Sequence, residues 1–368
     1  MTARRYPGES PMRRSLAILC IALLALPIGA QQSSVTVGTA TARRGERAYG
    51  ALVVPPGADS GMEMPVAVIH GAKPGPVLAL VAGTHGTEYA SIVALSRIIE
   101  RIDPKTLSGT VIVAPLLNIA SFEQMIVHVN PTDKKGMNAS YPGDPTGTQT
   151  QRALALVATQ VVKQADVVVD LHGGDLDEDL RPYSYWVRSG DAKQDAATRD
   201  LALAFGLDHI ILLDLDLTQP GGRRNLGGYA LSQGKLAFIA EAGRAGVSSP
   251  ADVTALIDGC LNVMGQLKMI DRAVKPVEHP VWVGNDARVR ADGPGMFYQT
   301  VQRGNYVIAG AKVGYITDYL GRPKGDVRAP TTGIVTFIRA VPSIWKNATL
   351  VNVGAGFVDP PPYQRPTP

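Results

Sequence analysis

The chain has 368 residues, 45% of them hydrophobic and 18% charged; that buries a large core and exceeds one comfortable domain, so two are expected. Its 39 Gly and 27 Pro show no collagen period, and the apolar content excludes disorder. The formal net charge of +4 is local: Arg4, Arg5, Arg13 and Arg14 against Glu9 make residues 1–30 basic, and the nearly neutral remainder has no electrostatic footprint for nucleic acid.

Arg13 and Arg14 precede an apolar run from Leu16 to Leu26 and a small-residue exit at Gly29-Ala30, the pattern of a secretory signal over residues 1–30. The run is short for a membrane span. A periplasmic or secreted protein is expected, with no stable membrane insertion once the signal is removed. Cleavage after Ala30 would leave Cys260 as the only cysteine and no internal disulfide.

Apolar runs then alternate with helical patterns. Strands are expected at 76–82, 110–115, 165–172, 209–215 and 235–241, and helices at 88–101, 150–164, 196–205, 227–233 and 251–269, with 130–150 reading as loop. This predicts an α/β catalytic domain over 31–275, its strands buried on both faces. From 276 to 357 short β-type pieces separated by Gly and Pro predict a small all-β domain, followed by a Pro-rich tail at 358–368. No glycine-rich phosphate loop is present, which excludes nucleotide and nicotinamide sites of that type.

Three strands end in residues of metal-binding type. The first runs into His85-Gly86-Thr87-Glu88, the second into His172, the third into Glu241. Ligands in open α/β sheets bind at the carboxyl ends of strands, so the four side chains are expected to converge. Two His and one Glu form a zinc set with an open position, and a further carboxylate suits general acid/base work. The assignment is His85, Glu88 and His172 for one Zn2+ per chain, with Glu241 catalytic. Taken singly, His172 also reads as a satisfied core histidine and Glu241 as a strand cap. Asp170 lies on the strand face of His172, either orienting it or capping the strand.

Val68–Pro76, Ala82–Glu88, Pro142-Gly143 after Asn138, Asp170–Gly173 and Glu241–Gly243 together resemble the succinylglutamate desuccinylase/aspartoacylase family of the zinc carboxypeptidase clan, over roughly residues 45–357. The resemblance implies a zinc-carboxypeptidase-like mixed sheet with helices on both faces, plus a C-terminal all-β domain of barrel-sandwich type. It implies zinc on His85, Glu88 and His172, and Glu241 promoting attack of water on an amide. The chain departs from the family where an arginine grips a substrate carboxylate, which here is Ala139, and where a second polarises the scissile carbonyl, near Val127. Asn138 and His128 remain as candidate substrate-binding residues, and Arg181, Arg223, Arg224 and Arg244 are the candidate replacements. The acidic stretch 175–180 reads as a wet loop, or as a site for a substrate with a positive group. The leading expectation is an exported zinc deacylase of an N-acylated amino acid or related small molecule. A carboxypeptidase-like peptidase on short peptides and a catalytically inactive zinc- or ligand-binding protein are the alternatives, and a homo-oligomer is compatible with each.

Overall fold

The computed structural model describes residues 33–357 and residue 360. The signal assigned to 1–30 lies outside them, as does the tail apart from residue 360. A hairpin of β1 (Ser34–Val37) and β2 (Ala40–Arg43) leads to β3 (Glu46–Val54), β4 (Met62–His70) and β5 (Lys73–Ala82). Then follow α1 (Tyr89–Ile98), β6 (Ser108–Ala114), α2 (Ile119–Gln124), α3 (Gln149–Leu156), β7 (Val167–His172) and β8 (Glu178–Arg188). Next come α4 (Ala192–Phe205), β9 (His209–Asp214), α5 (Leu226–Ser232), β10 (Leu236–Arg244) and α6 (Pro250–Gln266). The C-terminal part is strand-rich: β11 (Val281–Arg290), β12 (Gly295–Gln299), β13 (Tyr306–Val307), β14 (Lys312–Thr317), β15 (Pro323–Arg328), β16 (Gly333–Arg339), β17 (Ser343–Ile344) and β18 (Thr349–Phe357).

Apolar residues alternate in which face of the sheet they serve. Leu78, Leu80, Val167, Val169, Phe238 and Ala240 pack on one side with α1, α4 and α6. Ala79, Val81, Val168, Ala237 and Ile239 pack on the other, where α3 and α5 lie. The fold is thus the expected mixed α/β sheet with helices on both faces. At its centre β6, β5, β7 and β10 run parallel, and β8 is antiparallel to β10. All four parallel strands therefore deliver their carboxyl ends to one edge, which places the site.

Two sequence expectations are corrected. The helix predicted over 150–164 changes its winding at Val157 and continues to Val162 as a π-helix. The stretch 175–180 is not a wet loop: β8 begins at Glu178, and Asp175, Asp177 and Asp179 are all buried. Alternating acidic residues conceal a strand because their charge outweighs the period, and only a buried partner set makes such a strand stable.

The C-terminal strands continue the sheet. β11 pairs in parallel with β9; β18 with β11 and β16 with β18 are antiparallel, and β16 returns antiparallel to β8 through Phe337 opposite Leu180. Strands β8, β9, β11, β18 and β16 therefore close a ring, filled by Leu180, Tyr183, Ile211, Val283 and Phe337. β12, β14, β15 and β17 form a separate four-stranded sheet. Arg303 locks the C-terminal region to the edge of the site: its guanidinium donates to the Leu180 and Gly243 carbonyls and lies 3.2 Å from Asp179 Oδ1. Arg303→Ala is expected to cost about 2–3 kcal/mol by removing charge-assisted bonds and stranding a buried carboxylate. A urea midpoint equal to wild type would show that these contacts carry no net energy.

Among the described residues, no helix is long and apolar enough to cross a membrane.

Candidate active site

β5 ends at Ala82, and residues 83–88 turn into α1. Gly83 takes φ +67°, where a side chain would collide with Leu116. Gly86 is held closer still: a Cβ there would come within 2.3 Å of the Phe122 nitrogen, so only glycine lets this turn pack on α2. The Gly86 N–H donates to Ser121 Oγ at 3.0 Å, and Asn118 caps the same helix while its amide donates to the Thr84 carbonyl at 3.3 Å. His85 and Glu88 are thereby fixed on one short, braced loop.

Glu88 is buried, and its two carboxylate oxygens divide between two imidazoles. Oε1 lies 2.6 Å from His85 Nδ1, and Oε2 lies 2.9 Å from His172 Nδ1. The Gly173 N–H also donates to Oε2, at 3.2 Å. The ligand atoms of His85, Glu88 and His172 all lie within 4.8 Å of one another, close enough to hold one metal ion. His172 Nε2 lies 3.3 Å from Asp170 Oδ1, which is the carboxylate–imidazole arrangement that orients a metal-binding histidine. Both Asp170 oxygens are enclosed and accept no hydrogen bond.

The electrostatics follow from these contacts. Burial opposes ionisation of Glu88, but His85 and His172 outweigh it and hold the carboxyl at about 2. Burial opposes charge on His172, yet Asp170 and Glu88 raise its pKa well above the usual imidazole value. Glu241 sits beside His172 in the parallel register of β10 and β7. Its Oε2 is enclosed and without a partner. Burial pushes the Glu241 carboxyl well above the usual range; His172 pulls it back, and Glu88, Glu178 and Asp170 push it further. A carboxyl with a raised pKa is suited to exchanging a proton near neutrality.

The other predicted residues separate into two groups. His128 reaches the cleft: its ring meets that of His85 edge-on at 5.6 Å, and its Nδ1 lies 3.3 Å from Asp175 Oδ2. Asn138 is half-buried, with an enclosed and unpartnered Oδ1, beside the exposed Ala139. Arg181 is instead engaged by the Asp208 carboxylate, at 2.9 and 3.1 Å, so it is not delivered to the His85–Glu88–His172 cluster. Arg224 is exposed and contributes its carbonyl to the Tyr141 N–H, and Arg223 is half-buried next to it. Arg244 is exposed, opposite Asp179 in the β10–β8 register.

Sequence reasoning missed several residues around the cleft. Asp175 is fully buried, accepting from the Thr87 hydroxyl and from the Leu176 N–H. Burial, then Glu88, Asp175 and Asp177, push the neighbouring Glu178 carboxyl up to about 8. Tyr183 lies opposite Glu241 across β8 and β10, its ring against that of Tyr185. Tyr141 is buried with an unpartnered hydroxyl whose charge would be opposed by Asp170. Tyr183 and Tyr185 alternate within a strand that the acidic run had hidden.

Three comparisons with known proteins agree with this architecture. The chain is 27% identical over 309 residues to the N-alpha-acetyl-L-2,4-diaminobutyric acid deacetylase of Halomonas elongata, covering 81% of this chain and 84% of that one. The crystal structure of a succinylglutamate desuccinylase/aspartoacylase from Rhodobacter sphaeroides superposes with a TM-score of 0.76 at 24% identity, over 85% of this chain and 96% of that one. The product-bound ectoine utilization protein EutE (DoeB) from Ruegeria pomeroyi gives 0.76 at 23% identity, over 84% and 95%. These solved structures establish the shared fold. Residues 74–267, which contain every residue of the cluster, match the succinylglutamate desuccinylase/aspartoacylase catalytic domain, and the chain belongs to that family.

Proposed function

We propose that this protein is an exported, zinc-dependent hydrolase that cleaves the amide bond of an N-acylated amino acid. The family is one of N-acyl amide hydrolases, and the name of the Halomonas relative is that of an amino-acid deacetylase. The observation that carries the reading is the Glu88 carboxylate shared between two imidazole Nδ1 atoms, with Glu241 in register beside one of them. The enclosed, unpartnered Oε2 of Glu241 fits a centre that expects a water.

His85, Glu88 and His172 would hold the zinc, a nitrogen and oxygen donor set that suits it. When bound, zinc polarises a carbonyl and lowers the pKa of water. The chain's own residues do the rest. Asp170 fixes the tautomer of His172, so that Nδ1 faces the centre. Glu241 accepts a proton from water and returns it to the departing amine nitrogen, the two-way role its raised pKa permits. Tyr183, opposite Glu241, and Tyr185 beside it bring hydroxyls to the Glu241 side of the centre, suited to orienting the amide. Export rests on the pattern of residues 1–30.

The test is metal content and turnover together. Purified protein, supplied with zinc, is expected to release the free amino acid from an Nα-acyl amino acid panel, read by mass spectrometry. His85→Ala is expected to lose bound zinc and activity while leaving the far-ultraviolet circular dichroism unchanged, because the His85 side chain is partly exposed and lies on the loop before α1. Zinc retained at full stoichiometry in this variant would remove His85 from the ligand set.

A further inference from the structure

We propose that the mouth of the cleft holds a second divalent cation, on His128 Nε2, Asp177 Oδ1 and Glu178 Oε1. His128 Nε2 lies 3.8 Å from the Asp177 oxygen and 4.0 Å from the Glu178 oxygen. These separations are too long for hydrogen bonds, and the three ligand atoms all fall within 4.8 Å of one another. An ion centred on such a triangle would be about 2.2–2.5 Å from each corner, the span of metal–nitrogen and metal–oxygen bonds.

Buried oxygens point to the same occupant. Asp177 is 8% exposed, and its Oδ1 is enclosed and accepts no hydrogen bond, while Oδ2 is bound by Arg339 at 2.6 Å. Arg339 thus fixes the carboxylate with one oxygen turned toward His128. Asp175 Oδ2 is likewise enclosed and unpartnered, 3.3 Å from His128 Nδ1. A histidine that binds metal through one nitrogen gives its other N–H to a carboxylate. Asp175 and His128 repeat at the mouth what Asp170 and His172 do at the first centre, with the same 3.3 Å separation. Three enclosed or half-buried carboxylates around one imidazole repel each other unless a cation joins them.

One imidazole and two carboxylates suit Zn2+ or Mn2+. The bound charge would offset most of the negative charge of an otherwise acidic wall. A substrate carboxylate would then find at the cleft mouth an ion with an open coordination position, where Ala139 and Val127 offer no charged group. The inference is independent of the catalytic reading of the first centre, and its test separates the two.

Metal-stripped protein would be titrated with Zn2+ and, separately, with Mn2+, the bound metal being measured by atomic emission after gel filtration. Wild type is expected to take two equivalents. His128→Gly, which suits the left-handed φ of 61° at this position, is expected to take one, and so is His172→Ala. Asp175→Asn is expected to keep both, the second bound about 10- to 100-fold more weakly. In Mn2+-loaded wild type, spin coupling between neighbouring ions is expected, and its loss in either single-site variant would support the pair. Wild type saturating at one equivalent, which His172→Ala abolishes and His128→Gly keeps, would overturn the second site and leave the zinc reading standing. One equivalent lost in His128→Gly yet kept in His172→Ala would uphold the second site and remove the first. A single metal, together with a rise in KM on Glu178→Gln confined to substrates bearing a side-chain ammonium, would show that the cluster binds substrate and would overturn the proposal.

Discussion

Glu241→Gln is expected to lower kcat by about 100- to 10,000-fold, the range that a positioned general acid/base contributes, without changing bound zinc. Glutamine keeps the shape of the side chain and its place opposite Tyr183 but cannot exchange a proton. Glu241 is outside the His85–Glu88–His172 grouping proposed to hold zinc, so metal analysis of the same sample separates a chemical defect from a lost centre. An unchanged kcat would remove Glu241 from the chemistry. A loss of zinc with the loss of rate would make it a ligand instead. The carboxyl is enclosed and surrounded by Glu88, Glu178 and Asp170, so the neutral amide is not expected to destabilise the fold.

His172→Ala carries the largest expected structural effect. His172 is buried between two carboxylates, Glu88 at 2.9 Å and Asp170 at 3.3 Å, and alanine would leave Asp170 enclosed without a partner and Glu88 with His85 alone. Removing one partner from a buried charged set costs about 3–5 kcal/mol, so metal-free protein is expected to lose that much stability by denaturant titration. A variant as stable as wild type would show that water reaches these carboxylates. The same pair contributes to the pH response of the metal-free protein. Glu88 is lowered from 4.5 to about 2, so its contribution is complete above about 4.5 and is lost as pH falls through about 2. His172 is raised above 6.5, so its contribution is complete below 6.5 and is lost as pH climbs through the raised value. Glu178, raised to about 8, and Glu241, also raised, contribute stability that is complete below about 4.5 and is lost as pH rises, so the metal-free protein is expected to be most stable near 4.5 and to weaken toward 8. In the proposed centre zinc would displace the proton on His172, so metal affinity is expected to rise with pH and binding to release protons. Calorimetry in two buffers of different ionisation enthalpy measures that release; identical heats would contradict it.

The two proposed metal centres differ in their balance of charge. At the first, His85 and His172 share Glu88, which stays ionised, and His172 also meets Asp170. At the mouth a single imidazole faces Asp175, Asp177 and Glu178, and Glu178 is pushed up to about 8.

Much of the first centre was legible from one dimension. His85, Glu88, His172 and Glu241 all follow apolar runs, and an apolar run in a parallel sheet must end at the same edge as its neighbours. The period of the central strands and of α1, α4 and α6 was equally visible, because burial on a fixed face imposes it. What the residue order did not reveal was the contribution of β8. Its acidic start reads as solvated, since the partners that bury it, Arg339, Arg303, Thr87 and His128, are far away in the chain. The candidate arginines show the same limit. Nothing within the local sequence says that Arg181 is taken by Asp208 or that Arg244 faces solvent. Local sequence determined which strands end in the clustered His and Glu side chains, because hydrophobic period and strand direction are local properties. Tertiary structure decided which charges are buried against which, because the dielectric and the partner of each charge come from segments distant in the chain.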